Sequence, residues 1–263
     1  MVTGKPVAAM SATLDRDDPE PGRGSEVPPL WHWMFFVSLT RPEGIGADGH
    51  TKLGAFLPPV PLPRRMFAGG RFVFNHALRV GDEIKRLSTI KSVTAKQGRT
   101  GQMVFVTLQH DISDLRGIAI TEEHDIVYRE SAKPGAVQAT PKPAPTDEAF
   151  SRQINPDPVL LFRYSALTFN GHRIHYDRTY VTEVEGYPGL IVHGPLIATL
   201  LVDLLQRNLP HARLRTFSFR AIRPLFDTHH FMVCGRLEGD DKAVLWARDH
   251  EGWLTMQAEA SLA

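Results

Sequence analysis

His193-Gly194-Pro195 opens a stretch in which Leu196, Ile197, Ala198, Leu200, Leu201, Val202, Leu204 and Leu205 are apolar and only Thr199 and Asp203 interrupt them. Proline at the first helical position gives up no hydrogen bond, because the first amides of a helix have no intrahelical acceptor. The stretch therefore reads as a helix that is apolar on nearly every face. Such a helix has to be wrapped, and Leu196 to Leu205 falls far short of the ~20 residues that span a bilayer. The chain downstream offers a wrapper. Leu214 to Phe226, His230 to Leu237, Ala243 to Arg248 and Trp253 to Ala260 read as strands of an antiparallel sheet.

The upstream half is also β-rich. Phe72 to Phe74, Glu83 to Val93, Gly101 to His110 and Ile118 to Tyr128 alternate with Gly and Asp turn signals, and Gln97 to Gly101 reads as a hairpin turn. Phe72-x-Phe74 before Leu78 to Asp82 is echoed by Phe217-x-Phe219 before Pro224 to Asp227, which points to two copies of one helix-in-sheet unit. Between the halves, Ser131 to Thr146 holds four prolines and no aromatic residue, the composition of a semi-extended linker that buries little. The reading is α+β: an N-terminal unit over 1–130, a Pro-rich linker over 131–146 and a C-terminal unit over 147–263. Residues 1–28 are small, charged and rich in Pro and Gly, and read as a flexible arm or the tail of a longer natural N-terminus.

Composition excludes several classes. Thirty basic against 29 acidic residues give a formal charge of +1, so nothing global attracts nucleic acid or an acidic membrane. The lone Cys234 rules out an internal disulfide framework and any multi-cysteine metal site, and fits a reducing, cytoplasmic setting. No charged-then-apolar signal pattern opens the chain.

The densest polar cluster within the apolar C-terminal half is Tyr164-Ser165-Ala166-Leu167-Thr168-Phe169-Asn170-Gly171-His172-Arg173-Ile174-His175-Tyr176-Asp177, followed by Gly186 to Pro195. This arrangement resembles the hydratase 2 motif of the MaoC-like hot-dog hydratases and dehydratases, where Asp-x-Asn-Pro-x-His precedes a His-Gly turn opening a buried helix. Laid along that motif, Asn170 falls on the catalytic Asp, His172 on Asn, Arg173 on Pro and His175 on the catalytic His. Val192-His193-Gly194 falls on the helix-opening turn, whose glycine amide polarises the thioester carbonyl. Further strings extend the resemblance over most of the chain: Pro28 to Trp33, Asp48-Gly49-His50, Gly54 to Gly70 and Ile126 to Glu130. They are similar to the mesaconyl-CoA and itaconyl-CoA hydratase branch of that superfamily. The resemblance implies a double hot dog, with two antiparallel sheets each wrapped around a central helix, a degenerate N-terminal unit and one active site in the C-terminal half.

Elementary chemistry agrees with that expectation. Adding water across a double bond conjugated to a thioester needs a base for the water, a donor for the enolate oxygen and an acid for the α-carbon. His175 is the natural acid/base, Asn170 could hold the water by its amide oxygen, and the Gly194 amide could bind the oxyanion. Asn170 departs from the motif, and an amide takes no proton. It equally fits a turn cap, since Asn-Gly favours turns. The branch's substrate carries a free carboxylate, for which Arg173 is the first candidate partner and Arg64 and Arg65 the second. His193 is a further candidate for contact with substrate, and Tyr164 reads as a packing residue at the pocket mouth that could also touch it. His172-x-x-His175-x-Asp177 has metal-like spacing but no second cluster to complete it, so no metal and no separate cofactor is expected.

These residues predict an enoyl-CoA hydratase that converts mesaconyl-CoA or itaconyl-CoA to citramalyl-CoA, its acyl-CoA entering between the halves. A homodimer is a possible assembly, with neither nucleic acid nor membrane as partner. Two alternatives remain: a hot-dog acyl-CoA thioesterase, against which the lack of an acid at position 170 argues, and a non-catalytic acyl-CoA-binding module.

Overall fold

The structure, a computed structural model, describes residues 1–98, 101–130 and 140–263. Its strands are β1 (Arg64–Phe74), β2 (Lys85–Gly98), β3 (Gly101–Asp114), β4 (Gly117–Arg129), β5 (Phe150–Ile154), β6 (Leu214–Ala221), β7 (Phe231–Leu237), β8 (Lys242–Asp249) and β9 (Leu254–Leu262). All join one antiparallel sheet in the order β2-β3-β4-β1-β6-β9-β8-β7-β5. Outward from the central β1–β6 pair, the first half runs β1-β4-β3-β2 and the second β6-β9-β8-β7. The two halves follow the same path about a pseudo-two-fold seam. The sequence echo lies on that seam, where Phe72 pairs with Phe217. β2 and β3 pair up to Gly98 opposite Gly101, and the hairpin residues between them, 99 and 100, lie outside the described residues.

The helices are α1 (Gly4–Thr13), α2 (Pro158–Thr168) and α3 (Gly194–Asn208). α3 is the wrapped helix: every residue from Leu196 to Leu205 is buried, and β7, β5 and β8 pack against it. At ~1.5–3 kcal/mol per buried Leu or Ile, this helix is a main source of cohesion in the second half. Its one buried carboxylate, Asp203, is surrounded by Arg16 at 2.6 Å, Arg207 at 2.7 Å and Arg152 at 3.1 Å, as a buried charge requires.

The double hot dog therefore stands, with its two sheets fused edge to edge. The first half has no long helix of its own among the described residues. Its 3-10 turn Trp31–Phe35 packs on the seam instead, with Trp33 edge-on to Phe72 at 5.9 Å. Buried Glu122 of β4 holds this turn, accepting from Trp33 Nε1 at 3.1 Å and pairing with His32 Nε2 at 3.0 Å. Burial alone would raise the Glu122 carboxyl, but the His32 contact and the nearby histidines outweigh it and hold it at about 2.

Two expectations are corrected. Residues 1–28 are not a flexible arm throughout, since Val2, Val7, Met10 and Leu14 are buried in the main core and α1 packs on α2. Their spacing of three to five residues gives α1 one apolar face. The linker is tied down in its second part: Ala144 N donates to Gly252 O at 3.0 Å and Leu254 N to Lys142 O at 2.8 Å. Residues 131–139 lie outside the described residues. No described helix is long and apolar enough to cross a membrane.

Candidate active site

The site begins where α2 ends. Asp157 caps its start, accepting from Leu160 N at 2.8 Å, and Phe169 closes it in the left-handed region at φ 51°. Asn170 N then donates to Ser165 O at 2.8 Å, and its side-chain oxygen accepts from His172 N at 3.0 Å. This side-chain turn reverses the chain and leads into the 3-10 turn Arg173–His175. A second turn, Asp48 to His50 of the N-terminal half, lies against the first. Arg173 N donates to Asp48 O at 2.9 Å and Arg173 Nη1 to Ala47 O at 3.1 Å. The contact depends on Gly49, at φ +88°, where a Cβ would stand 1.8 Å from Gly171 O.

His175 is buried, and its Nδ1 lies 2.7 Å from Ile191 O. A carbonyl only accepts, so the ring proton is on Nδ1 and Nε2 carries the lone pair. Nε2 has no protein partner among the described residues. Burial pushes this imidazole down to about 4, so it is a neutral base at pH 7.

Behind it stands His193, fully buried, its ring stacked on His175 at 3.7 Å and 17°. Its Nε2 meets Ser165 Oγ at 2.8 Å, and burial holds it well below the usual imidazole range. His193 occupies the N-cap of α3, so the next amide is that of Gly194, which meets no acceptor among the described residues. A Cβ at Gly194 would meet only Phe67 O, at 3.9 Å, so the helix mouth is open. Free amides and the positive end of the helix dipole suit it to an oxyanion.

On the other side of His175 the row continues. His172 stands edge-on to it at 5.4 Å, and His50 lies over His172 at 3.8 Å. Burial, and then the neighbouring rings, push His172 down to about 2, and burial lowers His50. Asp48 accepts from the ring of His50 at 2.8 Å and from its amide at 3.0 Å. Burial would raise the Asp48 carboxyl, but these bonds outweigh it and hold it below the usual range. Beyond His50 opens a cavity of about 100 Å³, whose walls include Asp48, His50, Leu62, Arg65 and Tyr128. Asp48, His50 and His172 bring ligand-capable atoms within 4.8 Å of one another. The Asp48–His50 bond already occupies that space and the Arg65 cation stands alongside, so we assign no metal to them.

The structure thus brings together His175, His193 and Gly194, with Arg65 apart from them beside His50, and it corrects other expectations. Arg173 is not free for a substrate carboxylate: Asp177 takes its Nε and Nη2 at 3.0 and 2.8 Å, and Tyr180 stacks on it at 4.1 Å. Arg64 is paired with Glu185 at 2.7 Å. Tyr164 is not at a pocket mouth but fully buried, its ring 5.0 Å from that of His193. The Asn170 oxygen is engaged in the turn. His50, Asp48 and Tyr128 were not among the expected site residues. They lie in two of the strings that carry the resemblance, but nothing in those strings marks them as neighbours of His172, because they reach the site through tertiary packing.

Comparison with known proteins identifies the family. The family model of hydroxyacyl-thioester dehydratase type 2 matches residues 30–227. The Mesaconyl-C(4)-CoA hydratase of Chloroflexus aurantiacus is 45% identical over 257 residues, covering 97% of this chain and 90% of that protein. A mitochondrial hydroxyacyl-thioester dehydratase type 2 of Schizosaccharomyces pombe is 29% identical over 78% of this chain and 76% of its own. Among solved structures, HtdX of Mycobacterium tuberculosis superposes with a TM-score of 0.69 at 17% identity, covering 99% of this chain and 96% of its own. A second M. tuberculosis protein, described as a double hot dog, gives 0.59 at 12% identity over 100% and 93%. The family-model match over residues 30–227 and the 45% identity over nearly the whole chain place it in the hydroxyacyl-thioester dehydratase type 2 family, among the hot-dog hydro-lyases.

Proposed function

We propose that the enzyme hydrates an enoyl-CoA whose acyl group carries a second, free carboxylate, a branched dicarboxylic mono-CoA thioester such as mesaconyl-CoA, giving citramalyl-CoA. The observation that carries this reading is that His175, with no partner for Nε2 among the described residues, stacks on His193, whose neighbour Gly194 offers an amide that meets no acceptor among them. The thioester oxygen binds at Gly194. His175 Nε2 takes a proton from water as the water oxygen bonds to the β-carbon. The π pair moves toward the α-carbon and the thioester oxygen, where the amide and helix dipole hold the charge. The same proton then passes to the α-carbon, so none is consumed. One such amide is typically worth ~3 kcal/mol, and a positioned acid/base contributes ~10²–10⁴-fold. Asn170 serves by fixing the turn that presents His172 and His175.

The substrate class rests on two supports. One is the relative from Chloroflexus, a Mesaconyl-C(4)-CoA hydratase. The other is Arg65, which alone among Arg64, Arg65 and Arg173 lacks an acidic partner among the described residues. Itaconyl-CoA, with its double bond one carbon further out, needs a prior isomerisation by the same imidazole. The test is a panel of enoyl-CoAs with and without a β-carboxylate, followed by loss of the enoyl chromophore. Hydration of carboxylated members is expected, whereas stoichiometric release of free CoA would make the protein a thioesterase instead.

A further inference from the structure

No step written above uses Asp48 or His50, although both stand against the turn that carries His175. The loop that holds them closes on its own backbone. Gly46 N donates to His50 O at 2.7 Å, Ile45 bridges Thr51, and the Asp48 carboxylate accepts from the His50 amide at 3.0 Å in a side-chain turn. None of these contacts needs a ring at position 50. The ring nevertheless has two engagements. The Asp48 carboxyl, held below its usual range, is ionised and only accepts, so the His50 Nδ1 donates to its second oxygen at 2.8 Å. The same ring lies over that of His172, with centroids 3.8 Å apart.

His172 depends on that contact. Its ring makes no hydrogen bond among the described residues, so packing sets its orientation, with His50 over it and His175 edge-on at 5.4 Å. His175 in turn is tied at Nδ1 to Ile191 O and stacked on His193, and His172 is the further ring against it. The circuit closes through the backbone. Arg173 N, next in the chain after His172, donates to Asp48 O at 2.9 Å, and a Cβ at Gly49 would stand 1.8 Å from Gly171 O. Asp48 therefore grips the catalytic turn twice, directly by its carbonyl and, by its carboxylate, through two imidazoles in contact. We infer that Asp48 and His50 are positioning residues of the hydro-lyase reaction, which through His172 fix the ring of His175 where its Nε2 serves the water and the α-carbon. This inference rests on reading His175 as the acid/base. It makes the N-terminal half a working part of the active site as well as a partner in the sheet.

The test measures kcat, KM and Tm for His50→Ala, Asp48→Ala and Asp48→Asn on the enoyl-CoA that the wild type hydrates fastest. His50→Ala and Asp48→Ala should lower kcat about ten- to a hundredfold, the cost of a misplaced acid/base, while KM stays within about twofold. Asp48→Asn keeps an acceptor for the His50 ring and should recover most of what Asp48→Ala loses. A merely structural loop would lower Tm and leave kcat intact in assays well below that Tm, and this result overturns the inference. Repeating His50→Ala in a His175→Gln background separates the inference from its parent. The kcat loss should largely vanish there, because the ring being positioned is gone. An undiminished loss sinks the positioning role alone, whereas a His175→Gln protein with wild-type kcat sinks the acid/base reading. Independently of turnover, the ring resonances of His175, assigned by their absence in His175→Gln, should shift in His50→Ala and Asp48→Ala and return toward wild type in Asp48→Asn. Resonances that stay in place overturn the inference even in a protein that hydrates nothing.

Discussion

Replacing His175 by Gln should separate catalysis from stability in a way that only a buried, neutral imidazole allows. The His175 ring is held at about 4 rather than 6.5 by burial, so between those values the unfolded chain binds a proton that the folded site refuses. At ~1.4 kcal/mol per pH unit, that interval is worth roughly 3 kcal/mol, present in full above pH 6.5 and lost as pH falls through about 4. Gln does not titrate, and its amide can still donate to the Ile191 carbonyl that now accepts from Nδ1 at 2.7 Å. The variant should therefore lose less stability on acidification than the wild type, by an amount on the order of 3 kcal/mol, in urea unfolding at pH 7.5 and 4.5. Its kcat at pH 7.5 should fall by ~10²–10⁴, the contribution of a positioned acid/base. A variant with wild-type kcat, or one with full kcat loss but an unaltered acid dependence of stability, would refute the argument that this ring is both the base and a buried neutral group.

The wild-type kcat should hold from pH 8 down to about 5 and then fall as His175 protonates near 4, and an acid limb centred at 6.5 would contradict its burial. Gly49→Ala would put a Cβ 1.8 Å from Gly171 O at φ +88°, so it should separate the two turns, with Tm falling by several degrees and kcat with it. Asp203→Ala leaves Arg16, Arg152 and Arg207 around an empty buried position, and should cost ~3–5 kcal/mol in chemical denaturation while leaving KM near wild type. Asn170→Asp keeps the acceptor that His172 N requires, so its kcat should stay within about threefold of wild type, and a strong rise would show that the site lacks a carboxylate.

The features legible from sequence are those whose cause is local. The Gly-Pro opening of α3 and its all-round apolar surface dictate a wrapped helix, and the Phe72 and Phe217 echo marks strands that pair across the seam. His175 and Gly194 are also local, because one turn and one helix start present them. α1 was hidden because its short apolar face lies amid Gly, Pro and charge, and only packing on α2 gives it a reason to fold. The roles of the arginines were hidden for a related reason. Arg173 is claimed by Asp177, one helical turn away, and Arg64 by Glu185, brought in by the loop before α3, while Arg65 is spared because its strand points it elsewhere. Asp48, His50 and Tyr128 meet only through contacts between halves far apart in the chain.

The fused seam has a consequence for how such a site can be tuned. In a symmetric pair of identical hot dogs, any substitution that shapes one acyl pocket is imposed on its twin, together with its cost in cohesion. Here Phe72 and Phe217 face each other as separate positions of one chain. A change in the half that holds Phe72 has no counterpart forced upon the half that carries His175, so the two halves can be altered one at a time.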